Sequence, residues 1–129
     1  MNLKNKTVAL TGCSSGIGAE TARQLKEQGA RVIGFDLKEP SGNVDQYIPI
    51  DLANESSIQE AVAKCEEKID ALCNIAGVPP TLPAMVQIKV NFFGLRTFTN
   101  LMCLNNFRLL EKTGGRRRQN ICNSRWLFF

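Results

Sequence analysis

Thr11-Gly12-Cys13-Ser14-Ser15-Gly16-Ile17-Gly18 is the stretch on which the fold turns. Before it lies Thr7-Val8-Ala9-Leu10, a short β-prone run that reads as a buried strand. After it, Ile17, Thr21 and Leu25 recur at helical spacing until Gln28-Gly29 supplies a stop. A glycine motif carries meaning only where a strand turns into a helix, and this one lies at such a turn. Gly12 permits the tight turn, Gly16 lets the backbone approach a pyrophosphate with no Cβ in the way, and Gly18 lets the helix close on the strand. The helix N-terminus then offers unpaired N–H groups and a positive dipole end to phosphates. The competing reading is a glycine turn that holds no ligand.

Outward from this motif, Arg31-Val32-Ile33-Gly34-Phe35 is a second strand, closed by Asp36. Tyr47-Ile48-Pro49-Ile50 is a third, and Pro49 argues for an edge position. Ile58, Ala61, Val62, Cys65 and Ile69 follow the i, i+3, i+4, i+7, i+11 spacing of a helix with one apolar face. Ala71-Leu72-Cys73 is a fourth strand ending at Asn74. Met85, Ile88, Phe92 and Leu95 suggest another helix beyond the turns at Pro79-Pro80 and Pro83. The order β-α-β-β-α-β-α implies right-handed crossovers and a parallel sheet covered on both faces. The crossover between Asp36 and Tyr47 is too short for a full helix.

Asp36 stands 18 residues after Gly18, at the end of the second strand. A carboxylate there accepts both ribose hydroxyls of an adenosine and repels a 2′-phosphate, which points to NAD rather than NADP. Lys38 softens that discrimination, and an ordinary strand-end turn residue is the alternative.

Composition excludes several other classes. The 129 residues are 43% apolar and 22% charged, neither membrane-like nor disordered, and suffice for one small domain. The apolar stretch behind the first lysines is too short for a signal-peptide core, so a cytoplasmic protein is expected. Five cysteines without a C-x-x-C pair suggest neither a zinc site nor a disulfide framework. The absence of histidine excludes a Ser-His-Asp triad and removes the commonest metal ligand, so no metal is expected. Residues 1–99 hold 10 Lys/Arg against 11 Asp/Glu, whereas residues 100–129 hold 6 against Glu111 alone.

Three further motifs join the glycine turn and Asp36. They are Asp51-Leu52 after the third strand, Asn74-Ile75-Ala76-Gly77 after the fourth, and Val90-Asn91 within Lys89-Val90-Asn91-Phe92-Phe93-Gly94. Together, over about residues 5–100, they resemble the short-chain dehydrogenase/reductase family, whose glycine motif is T-G-x-x-x-G-x-G. The resemblance implies an α/β fold: a Rossmann-like, doubly wound parallel sheet in three α/β/α layers, here truncated after about four strands. It implies NAD as cofactor, held by Gly12, Ser14, Ser15, Gly16, Ile17, Gly18, Asp36, Asp51, Leu52, Asn74, Ala76, Gly77 and Val90. The family sets an Asp against the adenine ring where Asp51 stands, and Ile75 replaces the second Asn of its N-N-A-G. Asn91 takes the place of the structural and proton-relay Asn. Only 13 residues separate Gly77 from Asn91, a compact spacing similar to bacterial 3α-hydroxysteroid and coniferyl-alcohol dehydrogenases.

The family's chemistry needs a Ser and a Tyr-x-x-x-Lys pair, in which the Lys lowers the Tyr pKa so that its hydroxyl can exchange a proton while hydride moves. The single tyrosine here, Tyr47, is followed four residues later by Asp51 and cannot serve. Residues 1–100 therefore read as an NAD-binding domain and 101–129 as a basic tail, from a frameshift near residue 100 or a truncation. One permissible codon set for residues 115–126, read in the next frame, resembles the family's fifth strand. A sheet ending at the fourth strand leaves an apolar edge that recruits other chains. Trp126-Leu127-Phe128-Phe129 adds an apolar patch, and Arg116-Arg117-Arg118 reads as a solvated cluster rather than a nucleic-acid or membrane site.

The first functional reading is an NAD-dependent oxidoreductase acting on a small-molecule alcohol or ketone, a hydroxysteroid or aryl alcohol, with a homo-oligomeric parent. The second is a non-catalytic dinucleotide-binding module, and the third an interaction protein acting through the basic tail.

Overall fold

Val8, Ala9 and Leu10 are apolar in succession, so β1 (Thr7–Thr11) has no polar face to give to water and is buried along nearly its whole length. It runs parallel to β2 (Arg31–Asp36) on one side and to β4 (Ala71–Asn74) on the other. β3 (Gln46–Pro49) adds beyond β2, giving the all-parallel order β3-β2-β1-β4. This computed structural model describes residues 2–77, 83–85 and 89–112. Pro49 lies on an edge strand, opposite Asp36.

Register sorts the side chains into two cores. Ala9 is level with Ile33 and, with Phe35, packs against Ile58, Ala61 and Val62 of α2 (Glu55–Lys64) and Phe98 and Met102 of α3 (Leu95–Lys112). The rings of Phe35 and Phe98 meet edge to face at 4.9 Å. Val8, Leu10 and Val32 point the other way, onto Cys13 and onto Ala22 of α1 (Gly16–Glu27). The sheet is thus covered by α1 on one face and by α2 and α3 on the other, the expected α/β/α layering. No helix forms between Asp36 and Gln46, where Asp45 instead bonds the main-chain N–H of Val32 and the Lys26 ammonium.

The structure departs from the sequence reading at four places. On α1 the buried positions are Gly18 and Ala22, while Ile17 is 68% exposed, because the helix presses its smallest residues onto the sheet. α2 stops at Lys64: Cys65 is extended, and Ile69 reaches the same core from the following loop. Met85 is exposed, and the chain forms a π-helical segment, Lys89–Gly94, before α3 starts; Ile88 lies outside the described residues. Finally, the boundary expected at residue 100 falls inside α3. That helix is fastened beyond it, since Asn105 Nδ2 donates to the Cys65 carbonyl (2.8 Å). Asn106 accepts from the Ile69 N–H (3.0 Å) and donates to its carbonyl (3.1 Å). The basic cluster 116–118 and the terminal apolar residues lie outside the described residues.

Among the described residues no strand covers the outer edge of β4, whose Leu72 and Cys73 are half-buried. None of their helices is long and apolar enough to cross a membrane. Cys13, Cys65 and Cys73 are free thiols, whereas Cys103 is disulfide-bonded, which the cysteine spacing does not foresee.

Asn106 gives a direct test that α3 belongs to the packed unit past residue 100. Asn106→Ala strips the hydrogen-bond partners from both main-chain groups of Ile69 and is expected to lower stability by about 1–3 kcal/mol in denaturant unfolding. An unchanged midpoint would show that this part of α3 does not hold the loop before β4.

Candidate functional site

The carboxyl ends of β1, β2 and β4 meet around the glycine turn. Thr11, fully buried, ends β1 and accepts hydrogen bonds from the N–H groups of Ile75 (3.1 Å) and Ala76 (3.2 Å). Its own hydroxyl reaches the Asn74 amide oxygen at 3.4 Å. Gly12 follows at φ +78° and donates its N–H to the Phe35 carbonyl (2.8 Å). A Cβ on Gly12 would lie 2.7 Å from the Ala76 nitrogen, so the turn needs glycine for space as well as for its left-handed backbone. Gly18 is tighter still: a Cβ there would stand 1.6 Å from the Gly12 carbonyl oxygen. Gly16, at φ +55°, would meet nothing within 4 Å and so faces open space.

The start of α1 carries no cap of its own. Its N-cap, Ser15, makes no side-chain capping bond, and its first turn holds no acid. On α2, by contrast, Asn54 accepts from the Ser57 N–H and Glu55 sits in the first turn. No side chain of α1 itself caps the positive end of its dipole beside the open face of Gly16; the anion nearby is the Asp36 carboxylate, held on the Ser14 N–H.

Asp36 belongs to the same constellation. Its carboxylate accepts from the Ser14 N–H (3.0 Å) and, more weakly, from the Lys38 N–H (3.3 Å), while the Tyr47 hydroxyl donates to its carbonyl (3.0 Å). Ser14 thus has its amide committed to Asp36. Ile17 and Leu37, 68% and 70% exposed, adjoin the glycine turn and Asp36 in sequence and leave apolar surface at both. Burial, then the negative charge of Asp36, pushes the Tyr47 phenol above its ordinary range. Cys13 lies within the glycine motif but points inward, its sulfur filling the place a Gly34 side chain would take. Burial first, and Asp36 second, push its thiol up to about 11.

Other expected site residues are engaged differently. The Asp51 carboxylate accepts from the Ala53 N–H, and its main chain donates to Ser57, so it shapes the entry to α2. The side chains of Leu52 and Val90 are buried in the core, leaving only main chain for a ligand. Asn74 donates to the Thr99 hydroxyl (2.8 Å) while it accepts from Thr11, so its side chain braces the protein. Ala76 and Gly77 follow in the turn held by Thr11, with Gly77 exposed. Asn91 sits in the π-helical segment between buried Val90 and buried Gly94, an irregular turn of the kind found at functional sites. Sequence reasoning gave no role to Thr11 or Thr99. The threonine opening the motif is a signal for the first, and nothing in the sequence marks the second.

The short chain dehydrogenase profile matches residues 6–115. The coniferyl-alcohol dehydrogenase of Pseudomonas sp. (strain HR199 / DSM 7063) is 48% identical over 99 residues, covering 77% of this chain and 39% of that enzyme. A short-chain dehydrogenase structure from Leptospira borgpetersenii with bound NAD+ matches at TM-score 0.65 and 28% identity, covering 86% of this chain and 48% of that one. One from Burkholderia cenocepacia in complex with NADP matches at TM-score 0.69 and 25% identity, covering 89% and 51%. The chain belongs to the short-chain dehydrogenase family. It spans about two-fifths of the Pseudomonas relative and half of the two structures.

Two measurements check the local account. Gly18→Ala forces the helix off the Gly12 carbonyl and is expected to destabilise by about 3 kcal/mol or more, while Gly16→Ala, strained only in φ, costs about 1–2 kcal/mol. Equal costs would contradict the packing role of Gly18. Cys13 gives a pH signature. An unfolded thiol ionises near 9.0 and the folded one near 11, so the fold binds the extra proton and loses stability as pH rises between them. Cys13→Ala is expected to flatten that fall in pH-dependent unfolding, and an unchanged slope would refute it.

Proposed function

We propose that this chain binds NAD(H) across the carboxyl ends of β1, β2 and β4, as the cofactor-binding part of an alcohol or hydroxysteroid dehydrogenase. The observation that carries this reading is the uncapped N-terminus of α1 beside the open face of Gly16, with Asp36 hydrogen-bonded to the same loop. Oriented amides at an uncapped helix N-terminus suit a pyrophosphate, and the Asp36 carboxylate suits a ribose diol while opposing a 2′-phosphate. The exposed side chains of Ile17 and Leu37 supply apolar contact at the two ends of that path. Asp51 is the residue assigned to the adenine side, and Asn91 to the relay. Bound, the cofactor supplies the hydride acceptor; this chain's residues bind and orient it.

The similarity to the Pseudomonas coniferyl-alcohol dehydrogenase favours an aryl alcohol as the substrate class. The 129 residues hold no Tyr-x-x-x-Lys, which favours, for this chain alone, a module that binds dinucleotide without turning it over. The free thiols Cys13, Cys65 and Cys73 support a reducing, cytoplasmic setting, and the Cys103 disulfide points the other way. A homo-oligomeric parent remains part of the proposal. The basic tail is proposed to come from a frameshift near residue 100 or from a truncation, although α3 continues to Lys112. Sequencing the gene tests it, because the alternative frame must open into a Tyr-x-x-x-Lys segment.

NADH is expected to bind at least about tenfold more tightly than NADPH, because Asp36 meets a second negative charge in the latter. Asp36→Ala should narrow the gap, and equal binding by the unaltered chain would overturn the role of Asp36. With cofactor and a panel of aryl, steroid and aliphatic alcohols, the purified chain should give no steady NADH production. Turnover would show that the chemistry lies elsewhere.

A further inference from the structure

Among the described residues Thr11 and Thr99 are the buried polar side chains, and they lie on one hydrogen-bonded chain. The Thr99 hydroxyl donates its single proton to the Leu95 carbonyl (2.8 Å), one turn back in α3. With that proton committed, the oxygen can only accept, and it accepts from Asn74 Nδ2 (2.8 Å). This fixes which way the Asn74 amide faces. Its oxygen turns to the Thr11 hydroxyl, and the Thr11 oxygen holds the main-chain N–H groups of Ile75 and Ala76.

The sheet order gives this chain of bonds a direction. β4 flanks β1 on the side away from β2, so the turn after Asn74 and the Asp36 carboxylate lie on opposite sides of the glycine loop. A dinucleotide whose adenosine meets Asp36 and whose pyrophosphate meets α1 sends its other nucleotide toward β4. Leu95, the acceptor at the far end, follows directly on the π-helical segment that carries Asn91.

The geometry points to Thr99 as a positioning residue for the nicotinamide-side half of the site, acting through the orientation of Asn74. The inference rests on the proposed dinucleotide site. Thr99 touches no ligand in this scheme; it holds the β4 turn in the position that receives one.

The test is a split between whole and half cofactor, read by calorimetry on the full chain with NADH and with AMP, alongside thermal midpoints. Thr99→Val keeps the shape and removes the hydroxyl. It is expected to weaken NADH binding about fivefold, the scale of one buried hydrogen bond, and to leave AMP binding within about twofold. Thr99→Ser, which keeps the hydroxyl, should restore NADH binding. Unchanged NADH binding by Thr99→Val, or equal losses for NADH and AMP, would overturn the inference, since general loosening of the fold weakens both. If Thr99→Val does not fold, Asn74→Asp reads the same link by removing the proton given to Thr99, with the same split expected. Failure of the unaltered chain to bind either nucleotide would instead sink the dinucleotide reading beneath it.

Discussion

The close approach of Gly18 to the Gly12 carbonyl is the constraint on which the rest depends. It lets α1 begin within a few residues of the end of β1, so that the first amides of the helix point into the space above the sheet. A side chain at Gly18 would push the helix off the turn, and one at Gly12 would push away the Ile75–Ala76 main chain that follows β4. The two cores reinforce the arrangement. Val8 and Leu10 hold α1 on one face, and Ala9 lets the α2–α3 layer close on the other.

Much of this was legible because the informative residues act locally. Strands with no polar face, glycines at fixed offsets and Pro49 at an edge are each dictated by one stretch of chain. What was not legible depends on partners distant in sequence. Ile17 fits the helical spacing but sits outside the packed face, because Gly18 and Ala22 allow the closer approach. Asn74 matches a family motif, but its commitment to Thr99 follows from a helix 25 positions further on. The composition change at residue 100 is real, yet Asn105 and Asn106 are polar residues that fasten α3 rather than mark a tail. Charge balance reports on solvent-facing positions and says nothing about which amides cap a buried main chain.

The arrangement separates binding from chemistry. The residues of the proposed dinucleotide site lie at the carboxyl ends of three adjacent strands, where open α/β sheets bind their ligands. The groups that would move a proton are another matter, since the one tyrosine spends its hydroxyl on the Asp36 carbonyl. The half-buried outer edge of β4, next to the turn that Thr99 braces, is where the described sheet ends.

Amide chemical shifts of the ¹⁵N-labelled chain, followed on adding NADH, bear most directly on the central claim that the Gly12–Gly18 turn is built for a pyrophosphate. The account predicts the largest shifts at the amides of Gly16, Ile17 and Gly18, smaller ones near Asp36 and Ala76, and little change at the capped start of α2 around Ser57. Saturable binding that leaves the α1 amides unmoved, or no shifts at any residue, would contradict it.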